Sequence, residues 1–102
     1  KQDIFHHAVE LDHVDLAFEE YNERHDEIVA KVLEEIALLP DRSREVMNGV
    51  FVEGLKYREV AERYGISLST VKTLLSNSVK KLRERLDDEF FAGFLLFFYV
   101  LK

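Results

Sequence analysis

Tyr57–Leu86 reads YREVAERYGISLSTVKTLLSNSVKKLRERL, and this stretch decides the fold. Its first eight residues form a short helical run with Val60 and Ala61 on the inner side. Gly65 follows, where a left-handed turn is needed and a Cβ would resist it. Ser67 then offers a hydroxyl that can cap a longer helix. In that helix Val71, Leu74 or Leu75, Ser78, Val79, Leu82 and Leu86 recur at steps of three and four, one buried stripe. A short helix, a tight turn and a longer helix make a helix-turn-helix, with the second helix predicted from about Leu68 to Leu86.

In such a unit the N-terminal half of the second helix meets base edges in a major groove, while its flanks meet phosphates. Ser69, Lys72, Thr73 and Ser76 fall opposite Val71, Leu75 and Leu82. Hydroxyls can donate or accept at base edges, and Lys72 can reach guanine or phosphate. With Ser67 and Leu68 at the helix start, Lys80 further along and Arg58 opening the preceding helix, these are the candidate DNA-binding residues. Lys80, Lys81, Arg83 and Arg85 also have a plainer reading: cations near a helix C-terminus favour the helix dipole or sit solvated.

Outward from this stretch the apolar spacing stays helical, and strand-like alternation is absent. Upstream, Asp41 or Ser43 can start a helix containing Val46, Val50 and Phe51, with Gly54 as its stop. Ile28, Val29, Val32, Leu33, Ile36 and Leu39 predict another, capped by Asp26 and ended by Pro40. Leu11, Val14, Phe18 and Tyr21 predict an acidic amphipathic helix before it. Downstream, Phe90 to Leu101 is a run of twelve uncharged residues. A bilayer span needs about 20 residues, so this predicts a buried apolar helix and no membrane contact. It folds back on the domain's own helices or covers itself in a homodimer through Phe90–Leu101. The expected fold is all-α: a short helical bundle containing the helix-turn-helix, with an acidic N-terminal helix and an apolar C-terminal helix.

Charge sharpens the division. The 102 residues carry a net charge of −6, but residues 41–86 are net +4 between net −8 before them and net −2 after them. DNA affinity follows local phosphate neutralisation, so a basic middle between acidic ends suits a weak DNA binder. Cysteine is absent, which excludes disulfides and thiolate metal sites and suits a cytoplasmic protein. His6, His7, His13 and His25 lack the spacing of a metal site, and no glycine-rich phosphate loop or GxSxG context exists. The expectation is therefore no enzyme, no cofactor and no metal. The chain begins with Lys1, which reads as a fragment or a processed product.

Four segments resemble region 4 of the bacterial sigma factors, particularly the extracytoplasmic-function group of the sigma-70 family. They are LPDRSREV (Leu39–Val46), EGLKYREVAERYGIS (Glu53–Ser67), STVK (Ser69–Lys72) and KKLRERL (Lys80–Leu86). The resemblance implies promoter recognition in transcription initiation. It implies reading of the −35 element, docking on the β flap of RNA polymerase core, and an anti-sigma protein as a further partner. It also divides the chain: 1–24 as a linker toward a missing region 2, 25–86 as the region-4-like domain, and 87–102 as an apolar extension. Many extracytoplasmic members carry arginines where this chain has Leu74 and Asn77. Two other readings stay open. The LuxR-type response-regulator domain shares REV, EGL and TVK, but usually has five residues rather than six (Met47–Val52) between REV and EGL, and asparagine at Tyr57. A protein-interaction module without DNA binding is the third.

Overall fold

The computed structural model describes residues 23–100. The predicted helix through Leu11 and Tyr21, the linker at 1–24 up to residue 22, His6, His7, His13 and Leu101 lie outside the described residues. Among the described residues every regular element is helical. Helix α1 is His25–Ala37, and α2 is Asp41–Met47, running into a π-helical turn at Asn48–Val52. Helix α3 is Tyr57–Tyr64 and α4 is Leu68–Arg85. Helix α5 is Asp88–Phe94, continued by a π-helical segment at Leu95–Val100.

The boundaries follow local chemistry, with two corrections to the sequence reading. Asp26 does not cap α1. The helix starts at His25, with Arg24 at the boundary and no side-chain cap. Asp26 lies in the first turn, where a carboxylate favours the positive end of the helix dipole. The helix after Pro40 is not one α-helix to Gly54. Past Met47 it widens, and the Glu53 amide donates to the Asn48 carbonyl five residues back. Periodicity at 3.6 residues per turn cannot signal such a widening. Pro40 sits just before α2, in an extended conformation that Leu39 also favours.

One core joins these helices. Ile28, Val32 and Ile36 of α1, Val46 and Met47 of α2, Val60 of α3, and Val71 and Leu82 of α4 are all fully buried or nearly so. The C-terminal run belongs to the same core: Phe91, Phe94, Leu95, Leu96 and Phe98 are buried in it. The Phe94 ring meets Phe51 edge-on at 5.3 Å between centroids. Gly93 lets α5 approach α1, since a Cβ there would lie 2.6 Å from Ile28 Cγ2. The expectation that the tail folds back on its own helices therefore holds. These five side chains need no second copy to bury them. Asp87 starts α5 by accepting the Phe90 amide at 2.9 Å.

Two groups of ion pairs lace the outside of this core. Glu35, buried on α1, takes Arg85 Nε at 2.5 Å and Lys31 Nζ at 3.5 Å. Arg24 pairs with Glu89 and lies over the Phe90 ring. The first ties α1 to the end of α4, the second to α5.

Candidate nucleic-acid interface

The helix-turn-helix is built by α3, Gly65–Ser67 and α4. Gly65 adopts φ 65° and ψ 36°, the left-handed conformation that glycine tolerates. The Ile66 amide closes the turn on the Ala61 carbonyl at 3.0 Å. Ser67 is extended, and its hydroxyl accepts the Thr70 amide at 2.9 Å while donating to Thr70 Oγ1 at 2.8 Å. At the start of α3, Glu59 reaches back to the Lys56 amide at 2.8 Å, half of a capping box. These caps fix the angle at which α4 leaves the turn.

Burial along α4 divides it lengthwise. Val71, Leu75, Ser78, Val79 and Leu82 are buried, with Leu86 just past the helix end. The opposite face carries Ser69, Lys72, Thr73 and Lys80, all exposed, and Ser76, half-buried; Leu68, three residues before Val71, is exposed at the N-terminal end of the buried stripe. Leu68 keeps 41% of its surface exposed at the first position of α4. Arg58 is exposed at the start of α3. Of the eight expected residues, Ser67 alone has its hydroxyl already committed, to the helix cap. The structure settles the position of Leu74, which is half-buried and packs against the core. Asn77, which the sequence reading did not select, is exposed on α4 one turn past Thr73. Its signal was available: an asparagine in a helix interior, off the apolar stripe.

The electrostatics separate two kinds of cation. Twelve lysines and arginines fall within residues 23–100. Arg24, Lys31, Arg42, Arg44, Arg63 and Arg85 each hold a carboxylate of this chain. Lys56, Arg58, Lys72, Lys80 and Lys81 hold none among the described residues, and Arg83 lies over the Phe91 ring at 5.6 Å. Every member of the second group is exposed, and all lie between residues 56 and 83. Paired cations have their fields partly cancelled. Unpaired ones are available to phosphate.

The fold defines a helix-turn-helix protein whose second helix turns a polar face outward. The family described as sigma-70, region 4 matches residues 35–84, from the end of α1 through nearly all of α4. This segment is similar to the sigma-70 region 4 family, a family of DNA-binding transcription-factor domains and not of enzymes. No curated protein and no solved structure matches the chain. Among the described residues no helix is long and apolar enough to cross a membrane.

Proposed function

We propose that this chain is the −35-reading domain of a sigma factor of the extracytoplasmic-function type. On this reading α4 enters the major groove. Ser69, Thr73 and Ser76 face base edges, Lys72 reaches guanine or phosphate beside them, and Leu68 sits at the helix start. Arg58 and Lys80 neutralise phosphates on either side, and Ser67 acts through its cap. The observation that carries it is the set of described cations without a carboxylate partner, all within residues 56–83, on or beside the helix-turn-helix. Bases specify and phosphates position, so this division of residue types suits a groove-reading helix.

The same reading gives the domain a protein partner. Leu38 and Val52 are apolar side chains exposed at 63% and 50%, and neither belongs to the outer face of α4. They are available to a docking protein while α4 holds DNA. We assign that partner as the β flap of RNA polymerase, with an anti-sigma protein competing for the domain. Residues 1–24 serve as a linker toward a region 2, residues 25–86 as the promoter-reading domain, and 87–102 as its apolar extension.

The test is footprinting of the chain with core polymerase on promoter DNA, beside direct binding of the chain to a flap-tip peptide. A single asymmetric protected element and saturable flap binding are expected. Symmetric protection without polymerase would replace this reading with the response-regulator one. Absence of binding to DNA and to flap would replace it with an interaction module.

A further inference from the structure

We infer that α4 selects A·T base pairs, and that Asn77 is a specificity-determining residue, its carboxamide paired with an adenine in the major groove. The inference rests on the reading of α4 as the groove helix and goes beyond it in naming what that helix prefers.

The first observation is the chemistry of the outward face. Between Leu68 and Leu82 there is no arginine. The commonest specific contact to guanine is a bidentate arginine or lysine at O6 and N7, and only Lys72 stands in the base-facing half to make one. The remaining groups suit A·T pairs. A carboxamide offers an acceptor and two donors, matching adenine N6–H and N7. Leu68 and the methyl of Thr73 suit the thymine methyl.

The second observation is the cost of this face to the helix. Leu68–Ser78 contains Ser69, Thr70, Thr73, Ser76, Asn77 and Ser78, whereas Lys80–Arg85 contains none of these residue types. Serine, threonine and asparagine are weak helix formers because their side chains compete for backbone groups. Thr70 is engaged in the cap and Ser78 is buried in the core seam. Ser69, Thr73, Ser76 and Asn77 make no side-chain hydrogen bond among the described residues. The fold gains nothing from asparagine at 77, where alanine or lysine would make a better helix. A local choice that the fold does not reward points to something outside the fold.

The third is position. Asn77 follows Thr73 by four residues, about 6 Å along the helix. That is roughly two base-pair steps, at about 3.4 Å each. Thr73 and Asn77 therefore reach different base pairs, and each adds its own preference.

The experiment is selection by the full chain from a randomised duplex library at low salt. Anisotropy titrations then compare retained duplexes with single A·T→G·C exchanges. Retained duplexes should be A·T-rich with at most one fixed guanine. Asn77→Ala should lower discrimination at one base pair by about tenfold while leaving affinity for a scrambled duplex unchanged. Asn77→Arg should move the preference at that pair toward G·C. Thermal unfolding of each variant confirms that the helix remains intact. Retention of duplexes with two or more fixed guanines, or unchanged discrimination in Asn77→Ala, overturns the inference and leaves groove binding standing. No retained duplex at any salt overturns both.

Discussion

Two sets of cations of equal size do different things in this molecule. Arg24, Lys31, Arg42, Arg44, Arg63 and Arg85 are each held by a carboxylate, four of them on α1, α2 or just before them. Lys56, Arg58, Lys72, Lys80, Lys81 and Arg83 are not, and all fall on or beside the helix-turn-helix. The difference explains how a chain of net charge −6 can present a face to DNA. Seven of its carboxylates pair with frame cations, and none pairs with the six cations of the second set among the described residues. Whole-chain charge misleads here because partnering, and not number, sets the local field. It follows that changes in the frame should move stability and spare DNA binding by the folded protein, and that changes on the outer face should do the reverse.

The largest effect belongs to the frame. Phe94 is fully buried against the rings of Phe51, Phe91 and Phe98, so Phe94→Ala should destabilise by about 3–5 kcal/mol. Urea unfolding measures it, and the fraction that stays folded should bind duplex as before. A loss below about 1 kcal/mol would mean that the C-terminal segment is not part of the core. Gly65→Val comes next. A Cβ there meets nothing within 4 Å, so the cost is backbone strain alone, about 1–3 kcal/mol. Gly65→Ala should cost less than Gly65→Val, and equal costs would contradict strain as the cause.

On the outer face, Lys72→Ala should leave stability within about 0.5 kcal/mol. It should weaken binding to every duplex and reduce the salt slope by about 0.9. Ser69→Ala and Thr73→Ala should instead change which duplex is preferred. If Lys72→Ala unfolds the chain at lower urea and leaves the salt slope unchanged, the division between frame and face fails at its clearest position.

The helix-turn-helix was legible in the sequence because its signals are local. Gly65 after an amphipathic turn, Ser67 before Leu68, and the stripe from Val71 to Leu86 each depend on neighbours within a few residues. The frame was less legible because it depends on distant partners. Nothing near Asp26 in sequence says that Arg24 pairs with Glu89, sixty-five residues away, or that the chain is already helical at His25. The π-helical turn at Asn48–Val52 also lay beyond periodicity, since Val46, Met47, Val50 and Phe51 fit an ordinary helix equally well. Within the candidate site, exposure was readable from the stripe, and so Ser69, Lys72 and Thr73 are exposed as expected, while the exposure of Leu68, in line with the stripe, was not. Which cations are free was not, because that requires knowing where Glu35, Glu45 and Glu53 end up.

The smallest effect tests the pairing itself. Arg85 beside Glu35 holds that carboxyl below its ordinary value of 4.5, and the opposing effect of burial is outweighed. A carboxyl whose pKa is lower folded than unfolded binds fewer protons in the native state. Its contribution is therefore complete above pH 4.5 and disappears as pH falls through the folded value. Arg85 is half exposed to water, so the contribution should be under about 1 kcal/mol. Comparing urea unfolding near pH 6 and near pH 3 should show Glu35→Gln losing less stability over the interval than the unaltered chain. Equal losses would mean that the pair holds α1 to the end of α4 in geometry only.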